Sequence, residues 1–160
     1  MAFNFVTIAH IVAAIFAIIE LGLTAYIVSW YTGAYYWSGW SPSRVNFMLF
    51  NSIWSLLVLA YVGLVPMYAA SLFHKLAALA LNAVTTIFWF AGAIALAVYV
   101  GGPWDCGANT VCGSLSAAVA FGFFLWAIWT FLTVLDALEA LRSRGHNIRG
   151  PSKPQAQPGA

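Results

Sequence analysis

Four long apolar stretches dominate this chain and leave few choices of fold. They cover residues 5–31, 45–65, 76–100 and 115–141. Each is at least as long as the roughly 20 residues that cross a hydrocarbon core of about 30 Å as a helix. Lipid offers the backbone no hydrogen-bonding partner, and the stretches lack the apolar–polar alternation of a membrane barrel. The predicted fold is therefore all-α, a four-helix transmembrane bundle.

The composition of the 160 residues agrees with a chain that lies mostly in lipid. Hydrophobic residues make up 63% of it and charged residues 6%, against about 25% charged in soluble domains, so a water-soluble monomer is excluded. The net charge of +2 lacks the clustered basic stripe that nucleic acid requires, and no nucleic-acid partner is expected. We divide the chain into a membrane domain, residues 1–141, and a basic tail, residues 142–160, that is predicted to be disordered.

The positions of the basic residues predict the orientation of the bundle. Consecutive helices run antiparallel because the segments between them are short. Lysine and arginine favour the cytoplasmic side, and the tail and Lys75 fall on one side while Arg44 falls on the other. Both termini are therefore predicted to be cytoplasmic. The first apolar stretch is longer than a signal-peptide core and has no base before it, so we expect it to be retained.

Two cysteines lie in the third connecting segment. Cys106 and Cys112 are separated by five residues, which is not the Cys-x-x-Cys spacing of disulfide-exchange enzymes. Gly107 and Asn109 between them allow the chain to reverse. We predict a structural disulfide bond, with reduced thiols as the alternative.

No set of side chains predicts catalysis. The three histidines lie near predicted cytoplasmic ends, and no nucleophile, base and orienting residue recur together. The cysteines have no His or Cys companions at zinc-site spacing. No catalytic residue, metal or cofactor is expected, although a bound membrane lipid is possible.

Glu20 is the one acid predicted near the centre of the bilayer. It lies eleven residues before Tyr31, which corresponds to about 16 Å of helix. By the same counting Asn51 and Ser55 reach its level from the second helix. An acid at this depth is costly and marks a buried partner or an ion path. We consider three interpretations: a neutral carboxyl hydrogen-bonded between helices, a contact with lipid or a partner helix, and a proton or cation path.

The other intramembrane polar groups are interpreted as interhelical contacts. Asn82 is expected to hydrogen-bond between helices, at about 0.6 kcal/mol per bond. Asp136 and Glu139 are placed at the cytoplasmic interface, where their expected partners are Lys75, Arg142 or His10. Arg44 is interpreted as an anchor that reaches phosphate headgroups or caps a neighbouring carbonyl.

Small residues at four-residue steps indicate where helix backbones approach closely. On the first helix they are Ala9, Ala13, Ala17, Ala25 and Ser29, and on the fourth Ser114, Ala118 and Gly122. These grooves either pack the bundle or form a self-association face. We expect bulky residues to face lipid or lipid-filled grooves, among them Trp54, Trp89, Trp126 and Trp129.

Two local motifs resemble a known family. The first helix contains Leu-Gly-Leu-Thr-Ala, with Gly22 and Thr24, and the second begins Ser-Pro-Ser-Arg-Val-Asn-Phe, with Ser43, Arg44 and Asn46. With the four-helix order and the cysteine pair, residues 5–141 resemble the MARVEL-domain proteins, and the second motif is similar to that of fungal members. Glu20 departs from the family pattern, which has an apolar residue there. The first outer segment lacks the cysteines of claudins, and the second is too short for a tetraspanin.

The resemblance implies membrane apposition, vesicle trafficking and organisation of lipid microdomains. For the fungal members it implies plasma-membrane compartments, eisosome assembly and non-classical export. We therefore expect a non-enzymatic, multi-pass protein, most simply of the plasma membrane. Its expected partners are membrane lipids, other membrane proteins and possibly a second copy of itself. The alternative is a small transporter or channel centred on Glu20.

Overall fold

Four helices account for the regular structure of the residues that the structure describes. The computed structural model describes residues 2–33, 41–68, 75–101 and 106–148. The helices are α1 (Ala2–Thr32), α2 (Ser43–Tyr68), α3 (Lys75–Val100) and α4 (Thr110–Ile148). Each of them is long and apolar enough to cross a membrane. The predicted all-α, four-span fold is confirmed.

The helices pack as a ring in which each contacts two neighbours. The main contacts join α1 to α2, α2 to α3, α3 to α4 and α4 back to α1. Phe5 packs on Phe131 toward one end of the α1–α4 pair, and Tyr26 contacts Thr110 at the other, so this pair is antiparallel. We call the end where α4 begins the disulfide end and the opposite one the His10 end.

The ends of α4 differ from the apolar stretch that predicted it. The helix begins at Thr110 because the Asn109 side-chain oxygen accepts hydrogen bonds from the backbone N–H groups of Val111 and Cys112, both at 3.1 Å. This is an N-cap, which starts a helix without regard to hydrophobicity. At its other end α4 continues to Ile148. It therefore includes residues 142–148, which the sequence predicts to be part of the tail. Residues 149–160 lie outside the described part of the chain.

The centre of the bundle is filled by tryptophan, methionine and leucine. Trp89 and Trp129 are fully buried, as are Met48, Leu96 and Leu125. The expectation that Trp89 and Trp129 face lipid is therefore wrong. For Trp89 the physical reason is visible: its indole N–H donates to the Ser55 hydroxyl at 2.8 Å, a partner that lipid tails do not offer.

Helices approach closely at Met48, whose side chain lies against two glycines. A Cβ atom on Gly92 of α3 would lie 2.7 Å from the Met48 sulfur and 2.8 Å from the Asn51 amide nitrogen. One on Gly122 of α4 would lie 2.8 Å from the Met48 Cε atom and 3.3 Å from the Ala93 Cβ atom. Met48 therefore connects α2 with both α3 and α4, and a side chain at either glycine would force Met48 to move.

The small residues of α1 do not share one face. Ala13 and Ala17 are fully buried, Ala9 is partly buried, and Ala25 and Ser29 are exposed. A four-residue step advances about 40° around an α-helix, so a stripe at this spacing rotates away from the bundle. On α4, Ala118 is fully buried and Gly122 is buried.

The outer surface carries large apolar side chains on all four helices. Representative positions are Ile8, Ile11, Ile15 and Ile18 on α1, Ile53 and Leu57 on α2, Ile87 and Val98 on α3, and Phe124 and Leu141 on α4.

Candidate functional site

The interior of the bundle contains a set of buried polar side chains. The fully or almost fully buried ones are Glu20, Thr24, Ser41, Asn51, Ser52, Ser55, Asn82 and Thr85. Within lipid such groups need protein partners, so their hydrogen bonds distinguish groups that hold the helices together from groups left unpaired.

The α2–α3 contact uses most of the polar groups predicted on α2. The Asn51 amide donates to the Phe88 carbonyl at 3.0 Å, and Ser55 accepts from Trp89. The Trp54 indole donates to the Thr85 hydroxyl at 3.0 Å. Asn51 and Ser55 are therefore partners of α3.

Glu20 is fully buried, and in the described part of the chain neither of its carboxyl oxygens has a hydrogen-bond partner. The expected hydrogen bonds from Asn51 or Ser55 are not formed. Thr24, the other fully buried polar residue of α1, donates its hydroxyl to the Glu20 backbone carbonyl at 2.7 Å. Neither the Glu20 carboxyl nor the Thr24 hydroxyl therefore forms a hydrogen bond to another helix in the described structure.

The relative height of the helices explains why Glu20 and Asn51 do not meet. Phe16 packs on Phe121, and the next residue, Gly122, lies against Met48. From this shared level Glu20 is about one turn toward the disulfide end, and Asn51 is nearly one turn toward the His10 end. Their Cα atoms are separated by roughly 10 Å along the bundle.

A second polar group lies toward the His10 end and joins α3 to α4. The Asn82 amide donates to the Asp136 carboxylate at 2.6 Å, and the Thr86 and Thr133 hydroxyls lie 3.0 Å apart. His10 of α1 interacts electrostatically with Asp136. Of the partners expected for Asp136, the structure brings His10 near, and the direct hydrogen bond comes from Asn82.

The disulfide end combines a covalent link with a cluster of aromatic rings. Cys106 and Cys112 are joined by a disulfide bond, with their Cα atoms 5.5 Å apart. The Arg44 guanidinium carbon lies 5.4 Å from the centre of the Tyr99 ring, and the Tyr31 and Tyr99 hydroxyl oxygens are 3.3 Å apart. Both tyrosines line an open pocket of about 300 Å³ with Val100, Cys112 and Leu115.

The motif residues occupy different environments. Gly22 is exposed, with open space around it, whereas Thr24 is buried. Ser43, Arg44 and Asn46 are exposed at the start of α2. The Ser41 hydroxyl donates to the Asn46 side-chain oxygen at 2.5 Å.

Sequence reasoning missed Gly92 and Met48. Gly92 lies in the short small-residue run Ala91-Gly92-Ala93, a signal that marks close approach but does not name the partner side chain. Among the described residues no three His, Cys, Asp or Glu side chains are grouped as a metal site.

Four apolar helices around a filled interior define a multi-pass integral membrane protein. A family model described as MARVEL, membrane-associating domain, matches residues 3–135. The chain therefore belongs to the MARVEL family. Searches of curated proteins and of solved structures find no match.

Proposed function

We propose that this protein is a non-enzymatic organiser of membrane domains that acts through lateral association with lipids and other membrane proteins. The observation that carries the proposal is the outer surface, where large aliphatic and aromatic side chains project from all four helices. The interior is already occupied by Trp89, Trp129 and Met48, so the outer surface is the part of the bundle available to partners.

The length of the spans supports a role in membranes of particular thickness. They contain 28, 23, 25 and 33 residues, or about 42, 35, 38 and 50 Å of helix. All exceed the hydrocarbon core of about 30 Å. Long spans accommodate by tilting or by favouring thicker bilayers such as the plasma membrane. We therefore propose the plasma membrane as the location, with the termini on its cytoplasmic side.

The finer roles implied by the fungal resemblance belong to the same proposal. They are organisation of lipid microdomains, membrane apposition, trafficking, eisosome-associated compartments and non-classical export. The transport alternative centred on Glu20 is not favoured, since neither Glu20 carboxyl oxygen has a hydrogen-bond partner in the described part of the chain, and a proton relay needs one.

Giant vesicles with coexisting thin and thick lipid phases test the proposal. We expect labelled protein to concentrate in the thicker phase and to form clusters countable by stepwise photobleaching. A surface variant with Ile11, Ile15 and Ile18 changed to alanine removes side chains that are 50–58% exposed, and should weaken clustering without unfolding. Gly22→Ala, in open space, is the matched control. Uniformly distributed monomers would refute the proposal, and pH-dependent ion flux abolished by Glu20→Gln would favour transport.

A further inference from the structure

An open cavity lies at the disulfide end of the bundle. It has a volume of about 300 Å³ and is lined by Tyr31, Tyr99, Val100, Cys112 and Leu115. These residues belong to three helices, α1, α3 and α4. Small-molecule sites in proteins have volumes of roughly 300–1,000 Å³, so the cavity has room for a small ligand or for the polar part of a larger one.

The lining of the cavity is part polar and part apolar. The Tyr31 and Tyr99 hydroxyl oxygens are 3.3 Å apart, so one of them can donate to the other. When Tyr31 is the donor, the Tyr99 hydroxyl proton can be offered to an acceptor in the cavity. Val100 and Leu115 contribute aliphatic surface. The cavity therefore suits an amphipathic ligand whose polar part accepts hydrogen bonds.

Arg44 places a positive charge beside this lining. Its guanidinium carbon lies 5.4 Å from the centre of the Tyr99 ring, and the side chain is exposed. Among the described residues within three turns of the disulfide end, it is the only one that carries a charge. A guanidinium group has five N–H donors and no acceptor. It also occupies an aromatic face that a quaternary ammonium ligand would use, so the expected ligand is an anion.

The depth of the cavity indicates where that anion comes from. Arg44 and the five lining residues lie no more than five positions inside the near ends of their spans, at most about 8 Å along the helix. The spans are longer than the hydrocarbon core by roughly 5–20 Å. The cavity therefore lies close to the boundary between acyl chains and headgroups, where lipid phosphates are found.

We propose that this cavity binds an anionic phospholipid through its phosphate, which accepts hydrogen bonds from the Arg44 guanidinium and the Tyr99 hydroxyl. Hydrogen bonds between arginine and phosphate are among the strong ones in proteins. The glycerol and the first acyl carbons lie against Val100 and Leu115. A zwitterionic lipid brings an ammonium group as well, and the described residues at this end offer it no carboxylate.

The inference rests on the proposed association with lipids and names the headgroup chemistry involved. Three lipids with identical acyl chains test it. Phosphatidylglycerol and phosphatidylcholine share the phosphate and differ in net charge, and diacylglycerol lacks the phosphate. Comparing them separates recognition of an anionic phosphate from burial of acyl chains.

The experiment uses the full chain in phosphatidylcholine nanodiscs that contain a trace of one of these lipids, carrying a diazirine close to its glycerol. After irradiation, cross-linked residues are located by peptide mass spectrometry, which distinguishes lipid in the cavity from lipid at the basic tail. We expect cross-links at residues 99–100 and 112–115. Phosphatidylglycerol should give about tenfold more of them than phosphatidylcholine, which corresponds to about 1.4 kcal/mol, and diacylglycerol should give the fewest.

Two variants localise the effect. Arg44→Gln keeps an amide donor but removes the charge, and should abolish the preference for phosphatidylglycerol. Tyr99→Phe keeps the ring beneath Arg44 and removes the hydroxyl, so it should lower cross-linking of both phospholipids without changing their order. Arg142→Gln is the matched control, since it removes the same charge from an exposed position at the opposite end of α4, and should retain the preference.

Equal cross-linking of the cavity by all three lipids in the wild-type protein would overturn the proposal, and that result does not depend on any variant folding. More cross-linking by phosphatidylcholine than by phosphatidylglycerol would overturn it in favour of an ammonium site. A loss of preference in Arg142→Gln equal to that in Arg44→Gln would also overturn it, because net charge would then explain the effect.

Inorganic phosphate tests the source of the anion. If millimolar phosphate removes the cross-links and chloride at the same ionic strength does not, the lipid as the source is overturned. Clustering in vesicles without cross-links at the cavity would refute this inference and leave the proposed function intact.

Discussion

The third and first helices bury the same share, 28%, of an apolar 18-residue window within each span, but contact their neighbours in different ways. Helix α3 hydrogen-bonds to α2 through Thr85, Phe88 and Trp89, and to α4 through Asn82. In α1 the buried polar residues Glu20 and Thr24 make no hydrogen bond to another helix in the described structure. Its central contact with α4 is instead aromatic, between Phe16 and Phe121. Equal burial within these windows therefore accompanies different kinds of contact: hydrogen bonds fix the position of α3 against its neighbours, and side-chain packing holds α1.

The largest expected effect comes from filling the space beside α3. In Gly92→Ala the new Cβ would meet the Met48 sulfur at 2.7 Å, so we expect the free energy of unfolding to fall by about 2 kcal/mol through overpacking. Unfolding by SDS in mixed micelles, followed by tryptophan fluorescence, measures it. Gly22→Ala on α1 is the matched control and should cause no loss, since nothing lies within 4 Å of it. Similar losses of unfolding free energy in Gly92→Ala and Gly22→Ala would contradict the difference in packing between α3 and α1.

Met48 provides a sharper form of the same test. Replacing it with alanine removes the atoms that the new Cβ meets, so Gly92→Ala should cost less in a Met48→Ala background than in the wild type. If the losses of stability in Met48→Ala and Gly92→Ala simply added in the double variant, the strain in Gly92→Ala would not come from Met48.

A smaller effect is expected from the α3–α4 hydrogen bond. Asn82→Leu leaves the half-buried Asp136 without its donor, and we expect a loss of about 1.5 kcal/mol in unfolding free energy. A double variant that also replaces Asp136 with leucine removes both polar groups and should recover most of that loss. The same SDS titration measures the cycle. A double variant less stable than Asn82→Leu would show that Asp136 has a further stabilising partner.

The smallest effect is expected on α1 and has the opposite sign. Glu20→Leu replaces a buried carboxyl that lacks a partner, so unfolding free energy should rise by about 1 kcal/mol. Glu20→Gln keeps unpaired polar atoms in the same place and should gain less. If Glu20→Leu lowered the unfolding free energy strongly and Glu20→Gln did not, Glu20 would have a hydrogen-bond partner. Helix α1 would then be held by polar contacts, as α3 is.

The fold was predictable because span length and hydrophobicity are local properties of the chain. The Cys106–Cys112 bond was predictable for the same reason, since short spacing limits the alternatives. The hydrogen bond between Asn82 and Asp136 and the unpaired state of the Glu20 carboxyl in the described structure were not predictable, because they depend on the relative height of helices joined by segments of unequal length. Counting residues from the helix ends assumes that all helices end at the same height in the membrane. The contact of Phe16 with Phe121 shows that α1 and α4 are shifted relative to each other along the bundle.

The tryptophans illustrate a second limit. Hydropathy alone does not tell a lipid-facing side chain from a buried one in a membrane, because both surroundings are apolar. Trp89 is buried where a hydroxyl from Ser55 accepts its N–H group, and that pairing becomes visible only when two helices are placed together.

The buried polar residues of α1, Glu20 and Thr24, make no hydrogen bond to another helix in the described structure, and this has a consequence for biosynthesis. This helix leaves the ribosome first and enters the membrane before the other spans have been made. Its mean hydropathy, 2.4, is the highest of the four, which offsets the cost of inserting one carboxyl, about 3 kcal/mol for an acid at mid-helix. Since Glu20 and Thr24, its buried polar residues, make no hydrogen bond to another helix in the described structure, the helix can stand alone in the bilayer as an early template. The later helices then associate through hydrogen bonds of their amide and hydroxyl groups, and α2 and α4 pack against α1 to complete the ring.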